Sequence, residues 1–416
     1  MALNEFEAVE TSTLQQQPRR VHVMGAGPVG LMVAALLQPS EGLSVLLYEQ
    51  RAEYTRTRMV RLEPSLAAET VESYRAGHSD PDDLQAMFDS EALAQIIAFR
   101  QTIAPDLKAL LSEWTLGFCP LNEIENSLTH LIETRPGSRV QRLAGAVSLE
   151  DVQAFLQPGD IVIDCTGRRS LLRDSLVPHN DESESGENTV NLQFERALVV
   201  TFLYDENYSC NEQCKYFKNA ENPRYKFIPS VNRTFSDGGL SWVTGIIQIT
   251  ADEASAMPSS FGGEWLRENF PEIAASMDHF ISCMESDTHG QIVGDLDIIS
   301  IPLNLYRARN ATSRLLREQG ASDHPFSTAP VFLAGDSAIG SPYFQSISLG
   351  FECAMYLAEL FSQPALEMGE ILDLYERFVF KQWTCVYMRS KMIKHDKDIF
   401  ETLDDKLGLL ELIHLY

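Results

Sequence analysis

The stretch Arg20–Arg51, RVHVMGAGPVGLMVAALLQPSEGLSVLLYEQR, decides the fold. Its first part, RVHVMGAG, reads as a short strand buried on both faces. PVGLMVAALLQP reads as the helix that follows, and LSVLLYEQ as a second buried strand. Together they make a βαβ unit. Gly25, Gly27 and Gly30 sit in the spacing GxGxxG between the first strand and the helix. The first glycine permits the tight turn, the second lets a pyrophosphate approach the backbone, and the third lets helix and strand pack closely. Free N–H groups and the helix dipole then favour the diphosphate. Glu49 ends the second strand, where an acidic residue accepts a ribose hydroxyl, and it argues against a 2′-phosphate at this site. The four elements together predict dinucleotide binding; the glycines alone would fit a Gly-rich turn of any α/β fold.

The rest of the chain surrounds this unit. Residues 1–18 are polar and acidic and are expected to be a disordered lead-in. Residues 65–135 read as a largely helical insertion, with caps and apolar spacing near 3.6. SRVQRLAGAVSLEDV and DIVIDCTG read as returning strands. PHNDESESGEN (178–188) is an acidic loop or boundary. Beyond it, residues 189–308 are rich in β-branched and aromatic residues and read as a second, largely antiparallel sheet, interrupted by the helical GGEWLRENFPEIAASMDHFISCM. APVFLAGD returns to buried-strand character, within a second stretch (309–375) of the first domain that began at 19–188. Helices are expected from about Gly350 to the end, with 376–416 a C-terminal helical part. The predicted class is α/β, a Rossmann-like domain with a second β-rich domain.

Bulk properties narrow the function. The chain has 416 residues, 44% hydrophobic and 22% charged, with a net charge of -26. That charge repels phosphate backbones and anionic membranes, so nucleic acid is excluded as a partner. No basic and apolar leader opens the sequence, and no apolar run approaches the roughly 18 residues that span a bilayer. Seven cysteines, with Cys210 and Cys214 in an incomplete CxxxC, predict free thiols, a reducing cytoplasmic setting and no metal site. The aromatic and basic KQWTCVYMRSKMIKHDKDIF (381–400) reads as a packed amphipathic helix rather than a membrane contact.

Three ordered motifs go further. GAGPVGL…YEQR is followed by the Arg-rich RTRMVRLEP, then by DIVIDCTGRRSLLRDSL (160–176), then by VFLAGDSAIGSP (331–342). The set resembles the class A flavin monooxygenases, the family of para-hydroxybenzoate hydroxylase, over residues 19 to 375. The resemblance implies FAD, reduced by NADPH or NADH as a transient partner, and a flavin C4a-hydroperoxide that hydroxylates or epoxidises an aromatic or polycyclic small molecule with molecular oxygen, in secondary metabolism. It implies that Gly25, Gly27 and Gly30, with Pro28 and Val29, hold the ADP half of FAD together with Glu49, Gln50 and Arg51. Arg58 would contact the diphosphate. Asp164 and Gly167 would belong to the middle motif, and Gly335 and Asp336 to the ribityl site. Pro342, with Tyr343 and Phe344, would line the flavin ring at the reaction site. A carboxylate at the C-terminal end of a parallel strand faces the ligand crevice, and ribityl hydroxyls would satisfy it; the bland alternative for Asp336 is a helix N-cap.

Departures from the family pattern are specific. The middle motif carries Thr166–Gly167 in place of Asp-Gly, with Asp164 two residues earlier. The helix LNEIENSLTHLIET lacks the family's arginine, and Asn122 is the nearest polar substitute. Ile339 stands where His is frequent, and the segment after Pro342 lacks the usual glycines. Neither the halogenase signature Trp-x-Trp-x-Ile-Pro nor a thioredoxin-like extension is present. Arg224, Tyr225, Trp242, Tyr343 and Phe344 are the candidate substrate-lining residues, with sheet packing the simpler reading of Tyr225 and Trp242. His22, His179 and His289 read as structural. The rivals are a flavin-dependent reductase, dehydrogenase or halogenase-like enzyme on the same fold, and a binding module without cofactor.

Overall fold

The structure is a computed structural model that describes residues 18–390, except 41, 57–58, 78–89, 177–188, 206–224, 226, 235–239, 289, 319–325, 327–328 and 342–345. In chain order, β1 (Arg19–Met24), α1 (Pro28–Leu37) and β2 (Leu43–Glu49) form the expected βαβ unit. β3 (Met59–Arg61), a 3₁₀ turn at Pro64–Ala67, α2 (Val71–Gly77), α3 (Ser90–Thr102) and α4 (Pro105–Trp114) follow. Next come β4 (Phe118–Pro120), α5 (Leu121–Thr134), β5 (Val140–Ala144), α6 (Leu149–Phe155) and β6 (Ile161–Asp164). The second half runs through β7 (Thr189–Tyr204), β8 (Phe227–Thr234), β9 (Ser241–Ile249), α7 (Ala251–Ser255), β10 (Ser260–Phe261), α8 (Gly263–Asn269), α9 (Pro271–Thr288) and β11 (Ile292–Ala308). It closes with α10 (Arg314–Glu318), β12 (Val331–Leu333), β13 (Ile339–Gly340), α11 (Ser346–Ser362) and a helix over 368–390, α12.

The first sheet has the order β12-β6-β1-β2-β5, with all four pairings parallel. β6, β12 and β1 from Val21 onward are buried: Val21, Val23, Ile161, Val162, Ile163, Val331, Phe332 and Leu333 are all 0–1% exposed. Continuous apolar strands of this kind belong to a sheet covered on both faces. The chain reverses its winding direction between β1 and β6, which places a ligand crevice at their C-terminal ends. α1 closes on the sheet because Gly30 has no side chain; a Cβ there would lie 1.9 Å from the Gly25 carbonyl oxygen. α11 packs across α1 in the same way, since a Cβ on Gly350 would lie 2.3 Å from Val29 Cγ2.

The second sheet has the order β10-β11-β7-β9-β8, antiparallel, with β13 joined to β11. Every second residue of β7 faces one apolar cluster: Leu198, Val200, Phe202 and Tyr204. Leu266 of α8 and Ile273, Met277, Phe280 and Met284 of α9 cover that face, so the helical interruption read in the sequence is the lid of the second core. Tyr306–Arg307 of β11 pair with Gly340–Ile339 of β13, and the Ala308 N–H donates to the Ala338 carbonyl at 2.7 Å. These bonds join the two sheets beside the crevice.

Two local expectations need correction. The segment Ser148–Val152 belongs to α6, not to a strand: Ser148 and Asp151 form a reciprocal capping box, whose side-chain hydrogen bonds satisfy the helix's first N–H groups. α11 starts at Ser346, four residues before the expected Gly350. The C-terminal helical expectation holds through 390, and its last part (391–416) lies outside the described residues, as do the acidic loop at 178–188, Cys210 and Cys214. Cys119, Cys165, Cys283, Cys353 and Cys385 are free thiols. No described helix is long and apolar enough to cross a membrane.

The helical insertion is fastened to α11 by buried charge. Arg100 of α3, 2% exposed, donates to both carboxylate oxygens of Glu352 at 2.6 Å and also to the Ser65 carbonyl. Two turns along, Glu359 is also buried, but one of its oxygens has no hydrogen-bond partner. Burial pushes its carboxyl up to about 7. The folded chain therefore holds a proton that the unfolded chain releases above about 4.5, and Glu359 withdraws stability as the pH rises from there through about 7. Glu359→Gln removes this penalty. Its melting temperature should exceed wild type by more at about pH 8 than at about pH 5, which thermal unfolding at the two pH values checks; equal differences would refute the assignment.

Candidate functional site

The crevice begins where β1 turns into α1. Gly25 has φ +89, and a Cβ there would press to 2.9 Å from the Cys165 carbonyl oxygen; both conditions demand glycine. Gly27 is the N-cap of α1 and offers no side-chain cap to the first turn, which leaves those N–H groups and the positive end of the helix available to an anion. A Cβ on Gly27 would meet only Arg51 Nη2 at 3.8 Å and Arg56 Nη2 at 4.0 Å. Two guanidinium groups thus flank the bare glycine.

From this turn a cleft of about 800 Å³ runs across the C-terminal ends of the strands to the edge of the second sheet. Gly25, Gly27, Pro28 and Val29 line one end, with Glu49, Gln50 and Arg51 beside them. Gly167 and Asp336 lie along it, and Ile301, Asn304 and Tyr306 of β11 form the far wall. Gly30 and Gly335 do not line the cleft but shape it from behind. Gly335, at φ +64, lets its loop rest on Val29, whose Cγ2 would be 2.9 Å from an added Cβ. Arg58, Pro342, Tyr343 and Phe344 lie outside the described residues.

Two carboxylates are engaged by donors of the chain itself. Glu49 lines the cleft but is already gripped: it accepts the Arg51 backbone N–H at 2.8 Å and two guanidinium N–H groups at 3.0 and 2.8 Å. Burial acts to raise its carboxyl, yet the Arg51 bonds prevail and hold it below the usual carboxylate range. Asp164, expected at the cofactor, is not among the residues that line the cleft. Fully buried at the end of β6, it accepts from Thr166 N and Oγ1, Ser170 Oγ, Leu172 N and Ser337 Oγ. The aspartate that shifts the middle motif by two residues is a loop organiser. It ties residues 166–172 to the Gly-Asp segment, and Ser337 Oγ completes the tie by accepting the Gly167 N–H at 3.1 Å.

Asp336 is half-buried and lies within a single 3₁₀ turn at Gly335–Ser337. That turn has no side-chain cap, and α11 starts ten residues after Asp336, so the N-cap alternative fails. The Asp336 carbonyl accepts from Tyr306 Oη at 2.7 Å and Arg173 Nη2 at 3.1 Å. Arg173, the arginine of the middle motif's xxSxxR, also donates to the Ser337 carbonyl at 2.9 Å. Tyr306 lies flat on Gly340, where a Cβ would be 1.9 Å from its Cε1, with the Arg168 and Arg173 guanidinium carbons 5.8 and 5.3 Å from its ring centre.

Sequence reasoning missed Arg56, Glu125, Ser337 and Tyr306. Arg56 lay two residues from the arginine chosen. Glu125 of α5 is 0% exposed and pairs with Arg56 and, at 3.4 Å, with Arg51. Burial raises its carboxyl, against the pull of the two arginines. Nothing in the sequence marks Tyr306. Among the substrate candidates, Arg224 lies outside the described residues. Tyr225 is 4% exposed in the second core, with its hydroxyl on Glu253. Trp242 sits in β9 opposite Leu203. His22 is buried between Tyr48 Oη at 3.0 Å and Asp160 at 3.1 Å, and burial keeps its imidazole below the ordinary value.

No family model and no curated protein matches the chain. Solved structures do. CtdE, whose crystal structure is in complex with FAD, superposes with a TM-score of 0.52 at 10% identity, over 91% of this chain and 94% of that one. PyrE3, a Diels-Alderase of the pyrroindomycin biosynthetic pathway, superposes with a TM-score of 0.51 at 11% identity, over 92% and 77%. At these identities the likeness is one of fold. The chain has the two-sheet, para-hydroxybenzoate hydroxylase-like fold that its motifs announced.

Removing the Asp164 carboxylate strands two hydroxyls and two backbone N–H groups on residues 166–172, together with Ser337. Asp164→Ala should loosen this loop and speed tryptic cleavage at the exposed Arg168 and Arg169 by at least about tenfold, the scale of one lost charge-assisted bond. An unchanged cleavage rate would show that the loop stands without Asp164.

Proposed function

We propose that the cleft binds FAD and that the chain is an FAD-dependent oxygenase acting on a small organic molecule. The observation that carries the reading is the glycine turn at Gly25–Gly30. It opens onto the head of α1 at the winding reversal of a parallel sheet, with a cleft that continues to a second sheet. The fold shared with FAD-bound CtdE supports it.

The residues present fit such a group. Gly25, Gly27 and Pro28 offer bare backbone and a helix N-terminus to a diphosphate. Glu49, held ionised by Arg51, retains a lone pair on Oε2 for a ribose hydroxyl, with Gln50 beside it. Asp336 offers a half-buried carboxylate to a ribityl chain. In this reading residues 19–188 and 309–375 form the cofactor part, and residues 189–308 supply the substrate wall through Ile301, Asn304 and Tyr306. When bound, FAD would supply the redox chemistry, taking reducing equivalents from NADPH or NADH and activating molecular oxygen. The chain's own task is to orient the substrate against the β11 wall and to keep water from the reacting atoms. Tyr306, pinned by Gly340 and Asp336, gives that wall a fixed shape. Hydroxylation or epoxidation of an aromatic or polycyclic compound suits a partly apolar wall of this kind.

The likeness to PyrE3 favours a second reading, bond formation in the same cleft without net oxidation. Two measurements separate them. The oxygenase should purify with flavin absorbance and consume NADPH or NADH only in air when substrate is turned over; turnover that persists without oxygen or reductant would favour the second reading. Asp336→Ala should raise the FAD dissociation constant roughly tenfold to hundredfold, the worth of a hydrogen bond to a charged group, and undiminished FAD binding would refute the role given to Asp336.

A further inference from the structure

α5 lacks the arginine that the family pattern places near its start, and its inward face carries Glu125 instead. A carboxylate with 0% exposure is a costly residue at a helix contact. Desolvation alone costs several kcal/mol, and an apolar side chain of similar volume is often the more stable choice. Glu125 is also incompletely satisfied, because Oε2 has no hydrogen-bond partner. Its Oε1 faces two guanidinium groups, those of Arg56 and Arg51.

Both arginines are held a second time. The Arg56 carbonyl accepts the Asn122 backbone N–H at 2.9 Å, in the first turn of α5, so the residue is fixed to that helix at its backbone and at its side-chain tip. Arg51 is gripped by Glu49. Yet neither side chain is buried: Arg56 is 48% and Arg51 32% exposed. Half-exposed arginines ordinarily sample many rotamers, and ordering one costs side-chain conformational entropy. Here two are ordered, and their Nη2 atoms converge on the one glycine of the turn that has open space above it.

We infer that Glu125 is a positioning residue for a two-arginine clamp, Arg51 and Arg56, that receives the diphosphate of the bound dinucleotide over Gly27. The inference rests on the dinucleotide reading of the cleft. It assigns Arg56 to cofactor contact and gives α5 an indirect part in binding: the helix supplies the anchor, and the neighbouring loop supplies the cation. A planar guanidinium pre-ordered in this way loses less freedom on meeting a phosphate than a free one would.

A double-mutant cycle tests it. FAD is titrated into flavin-stripped, full-length wild type, Arg56→Met, Glu125→Ala and the double variant, and the melting temperature of each flavin-free protein is recorded in parallel. Each single change should weaken FAD binding by about tenfold, the scale of one charge-assisted bond. The double variant should be weaker than Arg56→Met by clearly less than the product of the single losses, because Glu125 acts through Arg56 as well as Arg51. Multiplicative losses in the double variant, or Glu125→Ala binding FAD as well as wild type or better, would overturn the clamp. Where Glu125→Ala does not fold, the isosteric Glu125→Gln takes its place under the same criteria. A wild type that takes up no FAD sinks the dinucleotide reading and the clamp together. A wild type that binds FAD alongside variants that bind it equally well sinks the clamp alone.

Discussion

One buried carboxylate holds the cleft in shape. Asp164 ends β6 without solvent and with no cation paired to it among the described residues, and five donors from two segments of the chain replace its water. A carboxylate is tolerated there only because each lone pair is used. Its partners include the backbone that turns at Thr166 and restarts at Leu172, and the Ser337 hydroxyl of the Gly-Asp segment. The lip at Gly167 and the lip at Asp336 are therefore set relative to each other by one side chain. Arg173 repeats the connection from the other side through the Asp336 and Ser337 carbonyls.

Charge is organised differently inside the cleft and outside it. The chain carries a net charge of -26, yet the glycine end of the cleft presents Arg51 and Arg56, each balanced by a buried acid. That end is close to neutral before a ligand arrives, with its cations outward and its anions inward. A diphosphate would meet oriented donors in a protein whose overall field repels it, so binding strength would come from short-range geometry more than from long-range attraction.

What the sequence disclosed follows the range of the forces involved. The glycine turn was legible because its requirements are local: a positive φ at Gly25 and a contact between Gly30 and the Gly25 carbonyl five residues earlier in the chain. The two sheets were legible from uninterrupted and β-branched apolar runs. The capping box at Ser148–Asp151 has a local signature too, but it was passed over in favour of the neighbouring apolar residues. The partners of Asp164 could not be read from its neighbours alone; Ser337 is 173 residues away. Glu125 and Tyr306 were invisible for the same reason. Each looks like one more polar or aromatic position in a helix or strand until the fold sets a partner from another segment against it.

The short β13–β11 pairing gives the molecule a mechanical property. Ile339 and Gly340 belong to the segment that follows Asp336, while Arg307 and Tyr306 end the longest strand of the second sheet. Backbone bonds, the Tyr306 hydroxyl and the face of its ring all cross the same corner. The two sheets are riveted there, so they cannot part at that corner without breaking main-chain pairing.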